Sequence, residues 1–284
     1  MSYLTKNYNR KKISFKRGKG SFLYSVDGKK YLDFVQGIAV NSLGHAHPKL
    51  VKTINAQSKK LWHVSNAFII PEGEKLAKKL AKKTFADYVM FQNSGAEATE
   101  AAIKVARRYF YSIGKPKKNR ILCVKNSFHG RTLAAIYASG SKKMTEGFGP
   151  KVGGFDHFEF GDHKSLKKKI TKNTAAIMVE TIMGEGGIKP IPDKCLQYLR
   201  KLCNKKKILL ILDENNIKCI TRFNQSEMKR LYRIFKSECP SGLITEEVFH
   251  NIFSKFFPLG AESYNGKLSE INEIHPEFII FIIE

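Results

Sequence analysis

The residues with the clearest chemical capacity lie in one run, Gln92-Asn93-Ser94-Gly95-Ala96-Glu97-Ala98-Thr99-Glu100. The apolar stretch from Tyr88 to Phe91 before it reads as a buried strand. A helical pattern follows from Ala96 to about Tyr111, with apolar residues at Ala101, Ile103, Val105 and Ala106. Ser94 with Glu97 three residues on is a capping box. A strand, a tight glycine turn and a helix start leave free backbone N–H groups at the positive end of a helix dipole, which suits a phosphate. Taken alone, the run reads equally as an ordinary strand-to-helix turn.

The elements around it alternate. Strands are predicted at Val89–Gln92, Ile121–Val124, Ala134–Ala138, Ala175–Glu180 and Ile208–Asp213. Helices are predicted at Lys49–Leu61, Glu72–Lys83, Ala96–Tyr111, His163–Ile170 and Lys194–Asn204. Short apolar runs alternating with helical periods imply βαβ units, hence an α/β fold with a mostly parallel sheet. Such sheets bind ligands beyond the carboxyl ends of their strands. Ser94, Phe128, Glu180 and Asp213 all fall at or just past such ends.

Further motifs accompany the phosphate turn in order. Trp62-His63-Val64-Ser65-Asn66 precedes it, and Ser127-Phe128-His129-Gly130-Arg131-Thr132 follows. Then come Val179-Glu180-Thr181-Ile182-Met183-Gly184-Glu185-Gly186-Gly187 and Leu210-Ile211-Leu212-Asp213-Glu214. Tyr31-Leu32-Asp33-Phe34, Gly37-Ile38-Ala39-Val40-Asn41 and Gly44-His45-Ala46-His47-Pro48 belong to the same series. Over about residues 10–214 the chain resembles the first half of a class III pyridoxal-phosphate aminotransferase of the acetylornithine/ornithine type, which serves arginine biosynthesis.

The resemblance implies the three-layer large domain of a fold type I transferase, with pyridoxal 5′-phosphate as cofactor. It places Ser94, Gly95, Ala96, Phe128, His129 and Asp213 around that cofactor, and Arg131, Glu180 and Glu185 toward an amino-acid substrate. Each assignment has a chemical reason. Gly95 and Ala96 can offer N–H groups with small side chains that permit close approach. Phe128 can stack on a pyridine ring, or be a core phenylalanine. Asp213 can pair with a pyridinium nitrogen and keep it protonated. Arg131 can grip a carboxylate bidentately. Glu185, on a glycine-rich loop, can hydrogen-bond substrate or neutralise an arginine. His129, like His45 and His47, reads as structural.

The resemblance ends at Glu214. The family carries its Schiff-base lysine a few dozen residues after the aspartate strand, but here Asn215-Asn216-Ile217-Lys218 follows. Lys218 is too close to Asp213 to swing back, and Lys229, Lys236 and Lys255 lie in sequence of another character. No catalytic residue is therefore assigned, and transamination is expected to be incomplete. The missing half of the sheet is expected to leave a bare strand edge. The family's site is completed across a homodimer, whose surfaces are expected to be only partly present.

Charge breaks at the same point. Residues 1–214 hold 42 Lys+Arg against 16 Asp+Glu, whereas residues 215–284 hold 8 against 9. After a junction at 215–221, the segment 222–260 resembles the first EF-hand of a neuronal calcium sensor of the Kv channel-interacting kind. Its marks are Phe223-Asn224-Gln225-Ser226-Glu227, Glu238-Cys239-Pro240-Ser241-Gly242 and Phe256-Phe257-Pro258. This implies a helical hairpin able to bind a channel or peptide partner. With Gly242 at loop position 6, Ser237, Cys239, Ser241 and Val248 occupy positions 1, 3, 5 and 12. Calcium needs carboxylates there, so no metal is expected. The tail 261–284 resembles nothing, and its run Phe278-Ile279-Ile280-Phe281-Ile282-Ile283 reads as an aggregation hazard.

The net charge of +25 comes from 40 lysines and only 10 arginines. Without an Arg-rich helix or an aromatic-interleaved basic stripe, nucleic-acid binding is not expected. Five scattered cysteines, Cys123, Cys195, Cys203, Cys219 and Cys239, fit a reducing compartment. The cytoplasm is expected, or a mitochondrion if the basic start acts as a transit peptide. No apolar run reaches 18 residues, so no transmembrane helix is expected. Three functional classes follow: a truncated aminotransferase, a calcium-sensor-like interaction module, and a composite gene product joining two unrelated fragments.

Overall fold

The computed structural model describes residues 3–214, 243–244 and 279–283. They divide into two units, one reaching Phe68 and one starting at Ile69. The first opens with an antiparallel meander, β1 (Phe15–Lys19), β2 (Phe22–Ser25) and β3 (Lys30–Asp33), in register through Gly18↔Leu23 and Phe22↔Leu32. Phe15 of β1 lies edge-on to Tyr31 of β3 across the intervening strand, and the Arg17 guanidinium sits over the ring of its cross-strand partner Tyr24. Asp27-Gly28 makes the second turn, with Gly28 at φ +88°. A short turn, α1 (Gln36–Ala39), and α2 (Pro48–Gln57) follow; proline at the first position of α2 costs no helical hydrogen bond.

The second unit carries α3 (Pro71–Lys83), α4 (Gly95–Ser112), β4 (Arg120–Val124), α5 (Leu133–Ala138), α6 (Lys142–Thr145), β5 (Phe155–Phe158), α7 (His163–Lys169), β6 (Thr174–Glu180), the ribbon β7 (Ile182–Met183) and β8 (Lys189–Pro190), α8 (Asp193–Lys206) and β9 (Leu209–Glu214). Strands β9, β6, β4 and β5 lie side by side, all parallel. Their alternate residues feed opposite cores. Ile121, Cys123, Ala176, Met178, Leu209 and Ile211 pack with Ile103, Ala106 and Phe110 of α4. Leu122, Val124, Ile177, Val179, Leu210 and Leu212 pack with Leu166 of α7 and Leu199 and Leu202 of α8. Helices on both faces of a parallel sheet make the expected three-layer α/β unit.

Two expected strands are corrected. Val89–Gln92 has no ladder partner, and Tyr88 is 95% and Met90 63% exposed. An apolar run becomes a strand only beside another strand, and none flanks this one among the described residues. Ala134–Ala138 is helical, within α5. Its alanines favour helix, and the Thr132 hydroxyl caps it by accepting the Ala135 N–H at 3.2 Å.

The helical hairpin expected over 222–260 lies outside the described residues, apart from Leu243–Ile244 (β10), which pairs antiparallel with β3. The run read as an aggregation hazard forms β11 (Ile279–Ile283), which adds a fifth parallel strand along β9 from Leu210 to Glu214. The sheet edge left open by the sequence reading is thus occupied by the chain's own tail.

His157 of β5 gives the fold a pH dependence. Its Nε2 donates to the Tyr137 and Ala138 carbonyls at 3.0 and 3.1 Å, and burial holds its pKa below the usual imidazole value. The unfolded chain therefore takes up this proton before the folded one. This contribution is intact above about pH 6.5 and is lost as pH falls through the folded-state value. Melting temperature is expected to drop as pH falls below about 6.5. In His157→Gln, whose amide can donate to the same carbonyls, this part of the slope should vanish. An unchanged slope in that variant would show that other groups carry it.

Candidate functional site

The capping box forms reciprocally at the start of α4. The Ser94 hydroxyl accepts the Glu97 N–H at 3.3 Å, and the Asn93 N–H donates to Glu97 Oε2 at 2.7 Å. These bonds consume the amides on either side of Gly95 and Ala96. A helix leaves its first N–H groups without an intrahelical partner, so those of Gly95 and Ala96 stay available at the dipole's positive end.

A second segment closes over this turn. Gly130 sits at φ +113°, and a Cβ there would lie 3.1 Å from Ala96 Cα. Any side chain at 130 would push the loop off the helix start, so glycine permits the approach. Glu180, 1% exposed at the end of β6, holds the rest of the loop. Its carboxylate accepts the Phe128 N–H at 3.0 Å and the Gly184 N–H at 3.3 Å, tying the loops after β4 and β6 together. The carboxylate assigned to substrate is thus buried and engaged with backbone.

Asp213, at the end of β9, is fixed in turn. Its Oδ2 lies 2.6 Å from His129 Nδ1, and both side chains are almost completely buried. The other ring nitrogen, Nε2, lies 3.0 Å from Ser127 Oγ, which donates to the Val124 carbonyl at 2.8 Å. The imidazole is clamped at both ends and sets the plane of the Asp213 carboxylate. Because His129 touches Asp213 and the next residue packs on Ala96, aspartate and phosphate turn meet across a two-residue bridge. His129 thus bridges Ser127 and Asp213. Ser127, fully buried, was not singled out in the sequence; the signal available was a serine two residues before a histidine, just past a strand.

The structure therefore brings Ser94, Gly95, Ala96, Phe128, His129, Glu180 and Asp213 together. Arg131 is exposed, its guanidinium carbon 5.4 Å from the Phe128 ring centroid. Glu185 is exposed and lines a shallow cleft with Lys125, Asn126, Glu159, Met183 and Lys189. Free amides, a half-buried aromatic ring and a buried, oriented carboxylate are the donor set that a phosphorylated pyridine requires.

A family model described as Aminotransferase class-III matches residues 3–218. The chain belongs to that family. Over 207 residues it is 56% identical to the acetylornithine aminotransferase of Agrobacterium fabrum, covering 73% of this chain and 52% of that protein. Over 215 residues it is 46% identical to the acetylornithine aminotransferase of Aquifex aeolicus, covering 75% and 57%. Among solved structures it is similar to the ornithine aminotransferase of Toxoplasma gondii, with 31% identity, a TM-score of 0.70, and coverage of 74% and 51%. It is also similar to the N-acetylornithine aminotransferase of Stenotrophomonas maltophilia, with 35% identity, a TM-score of 0.61, and coverage of 72% and 51%. The chain spans about half the length of the curated relatives it matches. Class III aminotransferases are pyridoxal-phosphate enzymes. Among the described residues no helix is long and apolar enough to cross a membrane.

Proposed function

We propose that residues 10–214 form the cofactor-holding half of an acetylornithine/ornithine-type aminotransferase, and that the chain as it stands does not complete amino-group transfer to a 2-oxo acid. The observation that carries this is the capping box, which spends the Asn93 and Glu97 amides and leaves those of Gly95 and Ala96 without an intrahelical partner, with Gly130 of the next loop packed close to Ala96.

Gly95 and Ala96 would hold the phosphate, and Phe128 would offer a ring face. Asp213, oriented by His129, would keep the pyridine nitrogen protonated. When bound, the protonated ring supplies an electron sink for the substrate's Cα electrons. Arg131 would bind the substrate carboxylate, and Glu185 would hydrogen-bond the substrate or balance Arg131. Glu180 acts through Phe128 by fixing its backbone. Moving a proton at Cα needs an amine, and no lysine in residues 215–284 stands in the family's context. A homodimer, the family's way of completing the site, is proposed here only as far as residues 10–214 supply its surfaces. The test is a transamination assay with acetylornithine or ornithine and a 2-oxo acid. No turnover is expected, and sustained turnover by the purified chain would overturn the proposed incompleteness.

A second reading is favoured by the charge break at residue 214: a composite in which 222–260 is an EF-hand-like segment joined to the aminotransferase half. With no carboxylate at loop positions 1, 3, 5 or 12, calorimetry on the full chain should detect no calcium site near ~1 μM, the sensor range. A saturable site at that level would show that the loop alignment is wrong. Sequencing a transcript across codons 210–225 decides whether the two parts are one product. A continuous read supports a true fusion, and its absence removes it.

A further inference from the structure

We propose that Cys195 and His163 form a thiol modification site on the α7/α8 face, open to small disulfides. Cys195 lies in the first turn of the 14-residue helix α8 and is half-buried. Its Sγ is 3.7 Å from His163 Nε2, at the start of α7. The imidazole is held by packing, edge-on to the Tyr198 ring at 87° and 4.6 Å between centroids. Tyr198 is three residues after Cys195 and so shares its helix face. Its hydroxyl oxygen is buried and has no hydrogen-bond partner among the described residues. Lys167 reaches to 5.6 Å from the same ring, and the residues adjoining the pair in sequence carry both signs, Asp162 and Lys164 at His163 and Asp193 and Lys194 at Cys195.

The other described thiols differ. Cys123 is completely buried in β4, and burial pushes its thiol well above the usual range; Cys203 is pushed up to about 12 for the same reason. Buried thiols of this kind are inert, whereas a part-exposed one beside a histidine reacts. In the step proposed, His163 Nε2 takes the thiol proton as Cys195 Sγ attacks one sulfur of the disulfide. The reagent's S–S bond breaks, and its other half leaves as a thiolate with the electron pair. A mixed disulfide remains on Cys195, so the protein sulfur is oxidised and the departing half is reduced.

The test uses 5,5′-dithiobis(2-nitrobenzoic acid) on the native full chain near neutral pH, with nitrothiobenzoate release followed and the mixed disulfides mapped by peptide. Cys219 and Cys239 report on separate peptides. The Cys195 peptide is expected to label at least about tenfold faster than those of Cys123 and Cys203, and His163→Gln to slow it about tenfold with an unchanged circular dichroism spectrum. Cys195 labelling no faster than Cys123 or Cys203 in the wild-type chain overturns the proposal, whether or not the variant folds. An unchanged Cys195 rate in a folded His163→Gln chain overturns the role of the histidine and with it the site.

Discussion

Glu180→Ala is expected to destabilise the chain by about 3–5 kcal/mol, because hydrogen bonds to a charged group contribute about 1.5–3 kcal/mol each and two part-buried N–H groups lose their acceptor. Those groups belong to Phe128 and Gly184, on the loops after β4 and β6. Against a total of about 5–15 kcal/mol, this approaches loss of the fold. Glu180→Gln keeps the shape and one acceptor oxygen but turns an amide donor toward the second N–H, so it should lose roughly half as much. Urea denaturation of the three proteins measures this directly. A loss below about 1 kcal/mol in the alanine variant would mean that the carboxylate does not hold the loops. The result also separates roles. If Glu180 bound only substrate, its removal would leave stability untouched.

The second large effect concerns lysine. The chain has 40 lysines, and Asp213 is followed by none in the family's context. Treatment with pyridoxal phosphate and borohydride should give diffuse labelling, each lysine at low occupancy, because exposed amines react weakly and without selection. A family member with its own lysine would give one site near full occupancy. Peptide mapping distinguishes the two outcomes. A single stoichiometrically labelled lysine in this chain would show that it supplies the missing amine after all.

The parts of the site legible in the sequence are those set by local rules. Ser94 and Glu97 announce their box by spacing alone, and the box forms. The runs at Ile121–Val124 and Ala175–Glu180 lack polar residues except at their ends, as strands covered on both faces must, and both are central. What local pattern cannot supply is the partner. Tyr88–Phe91 has the composition of a strand and no strand beside it. Ala134–Ala138 is too short for its period to decide, and its cap, Thr132, was the available signal. The meander β1–β3 does carry a local sign, Asp27-Gly28 between aromatic-rich runs, which marks a hairpin. Phe278–Ile283 has the composition of an aggregating segment because such segments and sheet strands share their physics. Here part of it pairs with β9. The Ser127–His129–Asp213 chain joins residues up to 86 positions apart, and only the fold brings them together.

Residues 10–214 are proposed to hold the cofactor without a covalent lysine. Pyridoxamine 5′-phosphate tests it best, since its amine cannot attach to a lysine and any binding reads the non-covalent contacts. Fluorescence titration of the wild-type chain should saturate at one ligand per chain. Asp213→Asn, which keeps the side chain's shape but removes its charge, should weaken binding by about tenfold, the equivalent of ~1.4 kcal/mol. No saturation at millimolar ligand, or equal affinity in wild type and Asp213→Asn, would show that these residues do not form the cofactor half-site.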